Sequence, residues 1–280
     1  MSYKRLLTIQ DISCVGQCSL TVALPILSAC GHETAILPSA VLSTHTGGFT
    51  GFTFRDLVED MPAIGAHWVK EGIRFAAVYT GYLGSIGQVN YVRHIMNTTL
   101  EDGGLRIVDP AMADNGKLYP LFGQDYVEAM KPLCFESDIL LPNITEACCL
   151  TGMEYRTEYD EGYICDLLGA LRAAGAKTVV LTGVSYEPST TGVAIMEGDE
   201  ITYYRHRRLA RSCHGTGDVY ASAFVGALMN GLSATAAASV AADYTVACME
   251  NTADDPNHTY GVKFEPVLGS LIARIASERG

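Results

Sequence analysis

The chain has 280 residues, 48% hydrophobic and 18% charged, with a formal net charge of −12. That length and composition suit one large α/β domain with a substantial core. The acidic balance argues against nucleic-acid binding, and with no apolar run of about 18 residues no membrane span is expected.

Met1 to Arg5 leads directly into Leu6–Ile9, which reads as a strand rather than as part of a signal peptide. Short apolar runs at Thr34–Leu37, Phe75–Tyr79, Arg106–Val108, Asp138–Leu141 and Thr178–Leu181 have the character of buried parallel strands. Helical spacing marks Ser19–Ala29, Ile86–Leu100, Tyr163–Ala174 and Asp218–Met229. Val193–Met196 and Ile201–Tyr204 flank Glu197-Gly198-Asp199-Glu200, the pattern of an antiparallel hairpin. Ala234–Met249 is rich in alanine and predicts a tightly packed helix. Strands alternating with helices, without linker or repeat, predict a single domain over residues 1–280. Its expected form is a three-layer α/β/α sandwich around a central, mostly parallel sheet.

Nine cysteines, none in a C-x-x-C pair, argue against a zinc site or a disulfide framework. A reduced, cytoplasmic compartment fits better. Most of these cysteines read as small core residues.

In open α/β sheets, ligands bind beyond the carboxyl ends of the strands. The polar groups following each predicted strand are therefore expected along one rim. They are Asp11; Thr44-His45-Thr46-Gly47-Gly48; Thr80-Gly81-Tyr82; Asp109-Pro110; Pro142-Asn143 with Glu146; and Thr182-Gly183. Gly215-Thr216-Gly217-Asp218 belongs on the same rim, where a loop turns into a helix. The unpaired N–H groups of a helix start suit an anion, and an acid in the same turn would repel one. The pairing makes sense if the anion is a phosphoryl group in transfer and the carboxylate takes a proton from the attacking group.

Each group also has an ordinary structural reading. Asp114 lies in a loop, Ala111–Pro120, whose Asn115-Gly116 suits any turn, or it sits on a flap near a metal-bound phosphate. Asn143 and Glu146 fit a helix N-cap with its capping box, or Glu146 sits close to a hydrated Mg²⁺. His45 alone reads as structural. Tyr82 stacks on a planar ring or caps the core. Arg205, Arg207, Arg208 and Arg211 form a solvated basic face or raise the local potential for a nucleotide. The chain has no P-loop, no G-x-G-x-x-G after its first strand and no G-x-S-x-G elbow.

His214-Gly215-Thr216-Gly217-Asp218 resembles the C-terminal signature of ribokinase-like small-molecule kinases. With Ile9-Gln10, Ser43-Thr44-His45-Thr46-Gly47, Thr80-Gly81-Tyr82, Asp109-Pro110, Asp114, Pro142-Asn143 and Glu146 in order, the chain resembles the pyridoxal kinases over nearly its whole length. The resemblance implies transfer of the ATP γ-phosphoryl group to the 5′-hydroxyl of pyridoxal, pyridoxine or pyridoxamine. Asp218 would be the base, and the amides of Gly215, Thr216 and Gly217 the anion hole. Asp114 would lie over the ATP phosphates, with Asn143 and Glu146 organising phosphates and Mg²⁺, Asp109 near a metal and Thr182 on the nucleotide side. Thr46 and Gly47 would line the vitamer pocket, with Tyr82 against its ring. The family often requires a monovalent cation, commonly K⁺, and is often a homodimer.

Two positions depart from the pattern. Asp11 stands where a serine is frequent, and would pair with a ring nitrogen, accept from the 3-hydroxyl or shift vitamer preference. Leu141 stands where a polar residue is frequent before Pro-Asn. The alternatives are a hydroxymethylpyrimidine or sugar kinase of the same superfamily, or a non-catalytic vitamer- or nucleotide-binding protein.

Overall fold

A computed structural model describes residues 3–209, 213–255 and 257–279. Arg211 and Ser212, which belong to the basic cluster and the loop before the glycine turn, lie outside the described residues.

The chain opens with β1 (Arg5–Ser13), α1 (Leu20–Ala29), β2 (Glu33–Leu42), the short β3 (Phe54–Asp56) and α2 (Met61–Lys70). Then come β4 (Phe75–Thr80), α3 (Ile86–Thr99) and β5 (Leu100–Val108). A small hairpin, β6 (Ala113–Asp114) with β7 (Lys117–Leu118), precedes α4 (Gln124–Phe135) and β8 (Ile139–Leu140). The second half holds α5 (Ile144–Thr151), α6 (Glu161–Ala173), β9 (Thr178–Val184), β10 (Thr190–Glu197) and β11 (Glu200–Arg207). It closes with α7 (Thr216–Met229), α8 (Ala234–Ala253) and α9 (Leu268–Glu278).

The strands form one nine-stranded sheet in the order β11-β10-β9-β8-β5-β4-β1-β2-β3. Its centre, from β9 to β2, is parallel. The predicted hairpin adds β10 and β11 antiparallel at one edge, and β3 closes the other edge antiparallel to β2. The three-layer α/β/α arrangement is as expected. Alternation along β1 explains it, because neighbouring side chains leave a strand on opposite faces. Leu6 joins a core with α1, α7, α8 and α9, whereas Leu7 and Ile9 join a core with α3, α4, α5 and α6.

Side-chain caps start several helices. Ser85 accepts from Gln88 N at 3.4 Å, Asp160 from Tyr163 N at 2.9 Å and Ser233 from Ala236 N at 3.2 Å. The strand β1 is longer than its apolar run. Its pairing with β2 shifts register between Gln10 and Ile12 and continues to Ser13. Asp11 therefore sits inside an irregular strand end rather than beyond it, a correction to the sequence reading.

Candidate active site

The turn before α7 is built so that only glycine fits at its first position. Gly215 has φ +73°, and a Cβ there would lie 1.9 Å from the Gln17 carbonyl oxygen. The segment before α1 thus braces the turn. Thr216 and Asp218 follow in the first turn of α7, and Val219 N closes the first helical bond on Gly215 O at 3.0 Å. The N–H groups of Gly215, Thr216 and Gly217 precede that bond and lack carbonyls one turn back within α7. Asp218 is half-buried in the first turn.

The loop after β2 packs directly onto this turn. A Cβ on Gly47 would fall 2.7 Å from the His214 ring, so Gly47 is required by close approach. The His45 and His214 rings meet edge to face with centroids 5.5 Å apart. Thr46 stays exposed beside them. Asp11 is buried, and both its oxygens are engaged: Ser19 Oγ donates at 2.6 Å and Ser13 Oγ at 3.0 Å. Tyr82 is half-buried, its hydroxyl in the field of Asp11, and its ring lies 5.5 Å from Phe122.

On the other side, α5 starts with a complete capping box. Asn143 Oδ1 accepts from Glu146 N at 2.9 Å, and Glu146 Oε2 accepts from Asn143 N at 2.9 Å. The same two side chains reach the β6–β7 hairpin. Glu146 Oε1 accepts from Met112 N at 2.9 Å, and Asn143 Nδ2 donates to Ala113 O at 2.8 Å. Thr145 Oγ1 accepts from Gly116 N at 3.0 Å. Asp114 is exposed on that hairpin and caps Asn115 through its backbone N at 2.8 Å and its side-chain amide at 2.9 Å. Thr182 extends the sheet into this corner: it bridges Asn143, and its N–H donates to Pro142 O at 2.9 Å. Leu141, before Pro142, is buried in the core.

Residues 32–263 match the phosphomethylpyrimidine kinase family. The chain belongs to that family. A pyridoxal kinase from Lactobacillus plantarum is 33% identical, with a TM-score of 0.90 over 97% of this chain and 98% of its own. A Bacteroides thetaiotaomicron protein, assigned as a phosphomethylpyrimidine kinase and crystallised with pyridoxal, is also 33% identical. Its TM-score is 0.90 over 96% of each chain. The pyridoxine/pyridoxal/pyridoxamine kinase of Bordetella bronchiseptica is 28% identical over 261 residues, 88% of each chain.

In this member of the phosphomethylpyrimidine kinase family, the acids at the rim act on one another. Burial raises the Asp109 carboxyl well above its ordinary range, and the charges of Glu146 and Asp218 raise it further. Burial pushes Glu146 up to about 7, against the lowering effect of its backbone donors at Asn143, Met112 and Ala113. Burial also pushes Asp218 up to about 6, partly offset by the Ser19 N–H and reinforced by Asp11. A carboxylate–amide bond, Ala111 N to Asp109 Oδ1 at 3.0 Å, eases the charge on Asp109. Among the described residues no three His, Cys, Asp or Glu side chains form a ready metal cage. The donors at hand are nevertheless hard carboxylate oxygens under mutual repulsion, which suits a divalent cation that keeps its own waters.

Three groups at the rim escaped the sequence reading. Tyr119 is held by its N–H to Met112 O at 2.9 Å. Its hydroxyl lies in the field of Glu146, Asp109, Asp114 and Asp218, which with burial raise its pKa. Tyr155 lies under the hairpin, where a Cβ on Gly116 would be 2.7 Å from its ring. Ser19 Oγ donates to Asp11 Oδ1 at 2.6 Å. A tyrosine in a loop and a serine at a helix start have no spacing signal that separates these roles from ordinary ones.

Proposed function

We propose that the protein is an ATP-dependent kinase that phosphorylates the 5′-hydroxyl of pyridoxal, pyridoxine or pyridoxamine. The observation that carries this reading is Asp218 in the first turn of α7, directly after a glycine turn whose preceding residue, His214, packs on Gly47. The pyridoxal bound by the Bacteroides relative and the name of the Lactobacillus one support the substrate class. Asp218 takes the hydroxyl proton. A carboxylate with a pKa near 6 binds a proton more readily than an ordinary one, yet is mostly ionised at pH 7. The Gly215, Thr216 and Gly217 amides hold the transferring phosphoryl group through the positive end of α7.

The vitamer ring lies between Thr46-Gly47 and Tyr82, with Asp11 beneath its polar substituents. Asp114 and Tyr119 close over the nucleotide phosphates, and Asn143 and Thr182 border them. Asp109 holds Mg²⁺. Glu146 would help hold it through a metal-bound water, because both its oxygens already accept backbone N–H groups. When bound, the ion would neutralise phosphate charge. A monovalent cation such as K⁺, a homodimeric state and a cytoplasmic location complete the reading; the nine free cysteines support the last.

The test is a substrate panel: ATP consumption with pyridoxal, pyridoxine, pyridoxamine, hydroxymethylpyrimidine and ribose. Product with a B6 vitamer supports the reading; product with hydroxymethylpyrimidine alone overturns it in favour of the second activity, which the family match makes the specific rival. In parallel, Asp218→Asn is expected to fold normally and to lower kcat by about 10²–10⁴-fold. A native rate in that variant removes Asp218 as the base.

A further inference from the structure

Gln17 lies in the loop between β1 and α1, flanked by two unusual backbone conformations, Gly16 at φ +122° and Ser19 at φ 51°. Its carbonyl oxygen is the atom that leaves no room for a Cβ at Gly215. Its other polar atoms all bind the segment between α8 and α9. Gln17 N donates to Tyr260 O at 2.9 Å. Its Nε2 donates to Glu265 Oε1 at 2.8 Å, and its Oε1 lies 3.0 Å from Nε2 of the buried His258. A carboxylate only accepts, so the amide nitrogen faces Glu265 and the amide oxygen accepts from His258. Gly261, at φ +137°, admits this packing, because a Cβ there would lie 2.5 Å from Gln17 Cβ and 3.1 Å from its backbone N. The neighbouring residues of the loop are tied elsewhere. Thr21 Oγ1 donates to Gly16 O at 2.9 Å and Cys18 O at 2.6 Å, and Val15 O accepts from His45 N at 3.2 Å. Three bonds and a glycine contact thus fix Gln17 from the C-terminal side, and its carbonyl meets the glycine turn before α7.

We propose that Gln17 is a positioning residue, through which segment 258–265 sets the place of the Gly215, Thr216 and Gly217 amides. Its consequence for catalysis rests on the reading of that turn as the holder of the transferring phosphoryl group. Donors of this kind stabilise a transition state only when they are already aimed at the charge that develops there. The Gln17 carbonyl is a wall against Gly215. Loosening Gln17 withdraws the wall, and the turn gains freedom that the reaction must then remove.

Gln17→Ala keeps the carbonyl and removes both side-chain ties. It is expected to lower kcat by about 10–10²-fold, the scale of a small misplacement of catalytic groups. KM for ATP and for the vitamer should stay within about twofold, because the interaction lost acts in the transition state. Glu265→Ala is expected to lower kcat to a smaller extent. Glu265→Gln, whose amide oxygen still accepts from Gln17, should keep the native rate. The Gln17→Ala, Glu265→Ala double variant should match Gln17→Ala alone, since both act through one residue. Amide exchange read by mass spectrometry needs no substrate. The first turn of α7, where Val219 N donates to Gly215 O at 3.0 Å, should exchange faster in Gln17→Ala while β9 is unchanged. A lower Tm with native kcat and native exchange in that turn overturns the inference, as does a double variant whose effects multiply. A native protein that phosphorylates no vitamer counts against the kinase reading alone, and the exchange then decides whether Gln17 holds the turn.

Discussion

Asp109 shows how the site sets charge against folding. Its pKa, with those of Glu146 and Asp218, is higher in the folded protein than in the unfolded chain. The folded state therefore binds more protons once pH exceeds the unfolded carboxylate values of about 4. The stability these groups contribute is present below that pH and is lost as pH rises through about 6 for Asp218 and about 7 for Glu146. The ligand-free protein is expected to have a higher Tm at pH 5 than at pH 7.5 in a calorimetric series. Asp109→Asn is expected to raise Tm at pH 7.5 by about 2–4 °C, the shift that about 1 kcal/mol produces in a chain of this class, and to flatten the pH dependence. A Tm unchanged by the substitution removes Asp109 as a source of strain. At this scale Asp218, Glu146 and Asn143 were legible, because glycine turns and capping boxes have fixed spacings. Ser19 and Tyr119 were not, because their roles come from positive φ and from long-range charge.

The β6–β7 hairpin and α5 behave as one element. Glu146, Asn143 and Thr145 give the helix its cap and hold the hairpin backbone in place with the same atoms. Gly116, at φ +75°, leaves no room for a side chain, since a Cβ there would lie 2.7 Å from the Tyr155 ring. Gly116→Ala is expected to lift the hairpin. KM for ATP should rise several-fold with little change in KM for the vitamer, measured by steady-state kinetics with each substrate varied. Equal effects on both would show that the hairpin serves the whole site rather than the phosphates. The central strands and α1, α3, α6, α7 and α8 followed from apolar runs and helical spacing. The helices α2 and α4 did not: α2 is short with few buried residues, and α4 carries Pro132 inside its span. The strand β8 holds only two residues, so its apolar run was a better guide to burial than to pairing.

Across the whole molecule, the parallel sheet collects groups from Asp11 to Asp218 on one rim, which is why a reading of strand ends named groups that the structure brings together. The register of β1 past Gln10 lay beyond that reading, because a shift in pairing depends on the neighbouring strand. The bracing of Gly215 by the Gln17 carbonyl joins segments about two hundred residues apart in sequence. Contacts of such separation form late, since the chain must close a long loop before they return any stability. The single tryptophan, Trp68, packs on Phe75 with ring centroids 5.4 Å apart and reports on the packing of α2 on β4. In stopped-flow refolding from urea, catalytic activity is expected to return no faster than tryptophan fluorescence, and with the slowest phase if there is more than one. Activity that outruns the fluorescence would mean that the glycine turn before α7 takes shape before α2 packs on β4, so the protein's competence to react is also a record of the order in which distant segments meet.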